Sequence, residues 1–254
     1  MTPRAIRMLL IAGSFAVWLA ASLLGWTNPI IIASPESLVR ALLKDFPRFA
    51  DGLRVTLGEI GVSILIGWAA GVAVGLVAGR FGTLARLAAP ILTSVFAVPL
   101  IVLYPLLIAW VGIGWPSKIL FGVLSGFFPI TLNTLTSVQR VDPRFAVMAR
   151  AMGATEMQIF VRVIARLALP GIVSGLRVGT ALTVIGVVVT EMLASTAGLG
   201  YLISYHTMLF DTGHVYMGIA LALVVVLVLN YALGTLEKRL GAWRVVQQEA
   251  GQAS

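Results

Sequence analysis

The sequence predicts an all-α membrane protein with about six transmembrane helices and a cytoplasmic N-terminus. Composition, the spacing of apolar runs and the sidedness of the cations each point there. Of 254 residues, 59% are hydrophobic and 11% charged, and mean hydropathy is +1.00; soluble domains carry roughly a quarter charged residues. Six apolar runs, at 8–26, 60–78, 87–111, 119–135, 178–193 and 215–236, approach the roughly 20 residues that cross a bilayer. There are 18 Lys and Arg residues. With the N-terminus inside, Arg40, Lys44, Arg48, Arg54 and Lys118 lie outside, and Arg177 snorkels from within the fifth run; the other twelve lie inside. The net charge of +8 is therefore a topology signal and implies no nucleic acid. The absence of Cys excludes a disulfide framework, thiolate chemistry and a Cys-based metal site.

The first run reads as a signal anchor, because further spans follow and no small-residue cleavage site closes it. Residues 34–59 mix four acidic and four basic side chains with apolar ones, as an outer interfacial helix would. In the second run Gly67, Gly71, Gly75 and Gly79 recur every fourth residue, on one helix face where another helix can approach closely. No Gly-Lys pair occurs, so a Walker A phosphate loop is absent. Pro99 and Pro105 in the third run and Pro129 in the fourth each remove a backbone donor and favour a bend. Asn133 in the fourth run is a pathway candidate, with an interhelical hydrogen bond as the plainer role.

Glu191 is the polar residue to weigh in the fifth run, since an intramembrane carboxylate is costly to desolvate. At about 1.5 Å per residue it lies roughly 29 Å from Ile172, at the outer boundary, where its charge reaches water. An outer gate or loop anchor fits that depth better than a proton relay. Gly198 and Gly200 follow in a glycine-rich stretch and are further gate candidates. His206 and His214, in the next outer segment, match no metal-ligand spacing and read as solvated loop histidines. No metal site is expected. Residues 1–244 form the membrane domain, and 245–254 are a polar, disordered tail.

Between the fourth and fifth runs, residues 138–171 hold five arginines among apolar residues. Asp142 before Pro143 reads as an N-cap with proline at the first helical position. Phe145, Met148, Ala149 and Met152 fall at i, i+3, i+4 and i+7, with Arg144 and Arg150 off that stripe. Gly153 fits a C′ glycine ending the helix. Ala154 leads to Thr155, which with Gln158 forms a capping box that opens a second helix. Pro170 either stops that helix or begins the fifth span. Such a hinged pair fits a membrane-surface helix or a docking element laid into a groove on a cytoplasmic partner. A nucleic-acid stripe would want more aromatics than Phe145 and Phe160.

The run ARAMGA, followed by LPG, resembles the cytoplasmic EAA loop of binding-protein-dependent ABC importer permeases. The pattern there is Glu-Ala-Ala, three residues, Gly, and later Leu-Pro. VPLIVLYPLLIAWVGIGWPSKI, FFPITLNTLTSVQRVDP and GLRVGTALTVIGVVVTEMLASTAGLGYLI extend the resemblance to the nitrate, sulfonate and taurine subfamily, over about residues 50–240. Ala149, Gly153, Leu169 and Pro170 match the pattern; Val147 stands where its Glu falls and Met148 where its first Ala falls, and Ala165–Arg166 replace an earlier Leu-Pro.

The resemblance implies a type I ABC importer permease fold in a bacterial inner membrane, built as a homodimer. It implies two ATP-binding cassette subunits docked on the loop, an external substrate-binding protein, and a small polar or anionic solute. This chain would bind no cofactor, with ATP and magnesium held by the partner ATPase. An ion-coupled secondary transporter is the alternative; it needs a coupling-ion site near the midplane, whereas Glu59 and Glu191 both fall near the outer side.

Overall fold

The computed structural model describes residues 3–26 and 28–252, with side chains described for residues 6, 8–10, 12–26 and 28–235. The tail expected at 245–254 lies outside the described side chains. All regular structure among the described residues is helical.

Helix α1 (Pro3–Leu23) carries the first apolar run. Helix α2 (Pro35–Arg80) is 46 residues long and merges the expected interfacial helix with the second span. Ser34 caps it by accepting from the Ser37 N–H at 3.1 Å, with Pro35 first in the helix. Asp45 leaves helical geometry (φ −119°, ψ 20°) two residues before Pro47, so the stretch before it is kinked against the rest.

The third run is not one continuous helix. Helix α3 (Gly82–Ala97) and a 3₁₀ turn (Leu100–Leu103) leading into α4 (Tyr104–Val111) meet at a 78° bend. Pro99 sits at the break and holds Val98 in extended geometry (ψ 132°), whereas Pro105 is in the first turn of α4, where proline is tolerated. The fourth run forms α5 (Trp115–Gln139), unbroken through Pro129. Helices α2, α5, the bent pair, Glu156–Leu193 and Thr212–Thr235 are each long and apolar enough to cross a membrane; α1 adds a shorter apolar stretch, Met8–Leu23.

The glycine ladder packs α2 on α5. A Cβ on Gly71 would lie 2.7 Å from Ile130 Cγ2, and one on Gly75 would lie 2.5 Å from Thr134 Cβ, so neither site has room for a side chain. Helix α8 (Ala165–Leu193) packs on α5 and also on α2, where Trp68 Nε1 donates to Thr180 Oγ1 at 3.0 Å. Helices α9 (Leu199–Met208) and α10 (Thr212–Gln252) complete the bundle. Segments assigned to one membrane side by charge meet in space. At the inner face, Arg80 at the end of α2 reaches Met157 Sδ at 3.4 Å and lies over the Phe160 ring at 5.3 Å. At the outer face, Asp45 of α2 meets His214 of α10.

Candidate functional site

Two clusters stand out, one at each membrane face. The inner one is the loop after α5. Helix α6 (Pro143–Ala151) starts where the Asp142 carboxylate accepts from the Arg144 N–H at 2.8 Å. It ends in a Schellman motif: Gly153 N–H donates to Arg150 C=O at 3.0 Å and Ala154 N–H to Ala149 C=O at 3.1 Å, with Gly153 at φ +83°. Thr155 then opens α7 (Glu156–Gln158) through a complete capping box. Across this hinge Arg150 Nη2 and Glu156 Oε1 pair at 2.6 Å, a contact that the spacing of the two residues did not announce.

No residue of α6 is buried. Phe145, Met148 and Met152 are exposed, the last at 86%. The short helix α7 continues through a π-helical turn (Ile159–Ile164) into α8, giving one 38-residue helical segment, Glu156–Leu193. Pro170 lies inside it and neither stops nor starts a helix. Its base is fixed by Ile164, Ala168 and Ile172 packing with Val138 of α5.

The outer cluster sits at the far end of that same segment. Glu191 is only 1% exposed, so the expected access of its charge to water is wrong. It lies in the last turn of α8, and α9 folds back over it. The Thr56 hydroxyl on α2 donates to Glu191 Oε1 at 2.8 Å, Gly200 N–H donates to Oε2 at 2.8 Å, and Leu199 N–H donates to Thr56 Oγ1 at 2.8 Å. Glu191 and Thr56 thus satisfy the first free amides of α9, where the helix dipole favours a carboxylate. Gly198, at φ +106°, leaves the space that the carboxylate fills, since a Cβ there would collide with it.

Beside this cap, Lys118 and Glu59 form an ion pair with side chains only 4% and 6% exposed. Lys118, read from charge as an outer cation, is thus buried, and its ammonium donates to Ser195 Oγ at 3.0 Å as well. Ser195 in turn donates to Ala197 C=O at 2.7 Å, which shapes the turn between α8 and α9. That turn is therefore flanked by two buried ionisable side chains, Lys118 from α5 and Glu191 from α8. A cleft of about 310 Å³ lined by Arg48, Asp51, Val55, Thr196, Gly198 and Tyr201 opens directly on it.

Of the pathway candidates, Glu191, Gly198 and Gly200 are brought together. Pro99 lines a separate cleft of about 280 Å³ with Leu100, Phe121, Ser125 and Gly186. Pro105 lies in the first turn of α4 next to Tyr104, which packs with Phe121 and with Ala194 of the turn beside the outer cluster. Asn133 makes no interhelical hydrogen bond among the described residues: its amide donates to Pro129 C=O, one turn back in its own helix, at 2.8 Å. Arg177 Nε donates to Asn230 Oδ1 at 3.1 Å.

The histidines are not solvated. Phe210 (φ 55°) reverses the chain after α9, so His206, 5% exposed, stacks on His214 with ring centroids 4.4 Å apart. Burial disfavours the His206 imidazolium and holds its pKa below the usual range; positive charge on His214 acts in the same direction. Burial would raise the pKa of Asp211, but its contacts with His214 outweigh this and hold it low.

A bundle of apolar helices with an exposed amphipathic loop inside and a capped helix outside is the architecture of a transporter's membrane-spanning subunit. Residues 71–242 match the family described as the inner membrane component of binding-protein-dependent transport systems, and the chain belongs to that family. It is 30% identical to the taurine transport system permease protein TauC of Escherichia coli, over 89% of this chain and 85% of that one. It is also 30% identical to the formylaminopyrimidine transport permease protein ThiX of Halalkalibacterium halodurans, over 91% and 92% of the two chains. A match at 37% identity to the riboflavin transport system permease protein RibX of Chloroflexus aurantiacus spans 61% of this chain and 58% of that one. The fold matches an inward-facing MetNI methionine ABC transporter, with a TM-score of 0.67 at 22% identity, covering 77% of this chain and 97% of that one. The chain is a multi-pass inner-membrane permease with the type I importer fold.

Proposed function

We propose that residues 142–168 couple an ATPase subunit to an outer gate formed by the turn at 194–198 and α9. The observation that carries this is the exposed apolar stripe of α6 at the foot of the continuous segment that ends at Glu191. A nine-residue helix with none of its residues buried has little reason to persist alone, and its stripe suits a groove on a partner. Two copies of this chain would form the pathway, two ATP-binding cassette subunits would dock on α6, and an extracytoplasmic binding protein would deliver the solute outside. ATP and magnesium belong to the partner subunits, and this chain carries no catalytic residue.

In this mechanism, closure of the ATPase pair displaces α6. Gly153 and the Arg150–Glu156 pair pass the displacement to Glu156, and the segment through α8 carries it to Glu191. Moving Glu191 relative to Thr56 withdraws the cap from α9 and loosens the turn that Lys118 holds. The solute is a small polar or anionic molecule, in keeping with the taurine and formylaminopyrimidine systems named for its relatives.

The test is native mass spectrometry of the gently solubilised complex with wild-type chain and with Met148→Glu/Met152→Glu. Docking predicts a two-to-two assembly with a P-loop ATPase that the double variant loses while remaining inserted. An assembly that survives the double variant, or a wild-type chain binding no ATPase, returns α6 to a membrane-surface helix.

A further inference from the structure

Below α9, at the end opposite Glu191, three potential ligands converge on one point. His206 ends α9, Asp211 lies in the turn, and His214 is in the first turn of α10; one ligand atom from each lies within 4.8 Å of the others. His214 Nε2 is 2.8 Å from Asp45 Oδ2 on α2, and His214 Nδ1 is 2.6 Å from Asp211 Oδ2. His206 Nδ1 is 3.4 Å from the same Asp211 oxygen.

Without an added ion, no protonation state of this cluster gives every ring nitrogen a good partner. If His214 gives its Nε2 proton to Asp45, its Nδ1 lone pair faces a carboxylate oxygen at 2.6 Å, which is repulsive unless positive charge lies beside both. A second proton on His214 would relieve that contact alone. It would leave His206 stacked against a cation, with both ring nitrogens buried and, among the described residues, no partner closer to either than the long 3.4 Å approach of Asp211 to Nδ1. Unpaired buried polar atoms are costly. One divalent ion answers all three needs: it takes the His214 lone pair, the Asp211 oxygen and a nitrogen of His206.

We propose that His206, Asp211 and His214 form a three-ligand site for a divalent transition metal of the zinc class, with Asp45 orienting His214 from behind. Two imidazoles and one carboxylate are a borderline donor set suited to such ions and leave one position for water. A carboxylate on the far nitrogen of a ligating histidine fixes its tautomer and strengthens it as a ligand. The two rings lie 9° from parallel, so an ion in the plane of both requires one ring to tilt. Among the described residues His206 has only its long 3.4 Å contact with Asp211 to give up in doing so. The loaded site would tie the end of α9 to the start of α10 and, through Asp45, to the kink of α2. Glu191 and Thr56 hold one end of the gate helix, and the ion would hold the other.

The test uses the full-length chain, purified on a tag without histidine, stripped with chelator and titrated with zinc against a chromophoric competitor. One zinc per chain is expected, together with a rise in thermal midpoint on loading. His206→Gln and His214→Gln should abolish stoichiometric binding, and Asp45→Asn should weaken it about 10–100-fold. X-ray absorption at the zinc edge should report two imidazole nitrogens. Absence of stoichiometric zinc in the folded wild-type chain, or undiminished binding in His206→Gln, overturns the site. A thermal midpoint that moves with pH but not with zinc also overturns it, and assigns the cluster to a protonated His214 clamped by Asp45 and Asp211.

Discussion

At the inner face, Met152 stands 86% exposed at the end of a helix that buries none of its residues; at the outer face, Glu191 is 1% exposed under a helix that it caps. Both clusters end the same 38-residue helical segment, yet they are built on opposite principles. The inner one withholds apolar surface from the fold, so its contacts are left for another molecule. The outer one places charge inside the fold, where hydrogen bonds and ion pairing have to satisfy it. A docking surface tolerates substitution without unfolding. A buried polar latch holds one geometry and releases it when a single partner moves.

The sharpest way to break this contrast is to remove one member of the buried pair. Lys118→Met leaves Glu59 buried without its cation and should destabilise the solubilised chain by about 3–5 kcal/mol. Adding Glu59→Gln should recover most of that loss in thermal unfolding, since an uncharged pair needs no partner charge. Next in size, Glu191→Leu removes the acceptor for Gly200 and Thr56, a charge-assisted set worth about 1.5–3 kcal/mol. Amide hydrogen exchange at Leu199 and Gly200 should accelerate, with little change in the middle of α5.

At the inner end the effects on stability should be small and those on transport large. No heavy atom lies within 4 Å of a Cβ built on Gly153, so Gly153→Val meets only the backbone strain of its positive φ, about 1 kcal/mol. Solute uptake should nevertheless fall sharply while the spans stay inserted. Normal uptake in that variant would remove Gly153 from the hinge. Smallest in stability terms is Met152→Ser, which should leave the thermal midpoint unchanged and weaken ATPase capture in a pull-down.

Local signals were legible in the sequence. Asp142, Thr155 with Gln158, and Gly153 each act on backbone within a few residues, so their spacing alone places the two caps and the Schellman turn. The ladder Gly67, Gly71, Gly75 and Gly79 likewise announces a close neighbour, because periodicity defines a face before the partner is known. The bend at Pro99 is also written locally, in the lost backbone donor and in the bias of Val98 toward extended geometry, but its sharpness is not. Long-range pairings were not legible. Thr56 and Glu191 are 135 residues apart, and only the fold shows that α9 covers the carboxylate. Lys118 looked like an outer topology marker, and nothing in its neighbourhood names Glu59. Spacing counted along the chain misjudged His206 and His214, because the reversal at Phe210 turns eight residues of separation into ring stacking.

The central claim is that nucleotide at the inner face loosens the cap on α9. The direct measurement is amide hydrogen exchange at Leu199 and Gly200 in the reconstituted complex, with and without an ATP analogue trapped in the ATPase pair. Faster exchange on trapping in the wild type, absent in Gly153→Val, is the predicted result. Unchanged exchange at both amides in the trapped wild-type complex would contradict the claim.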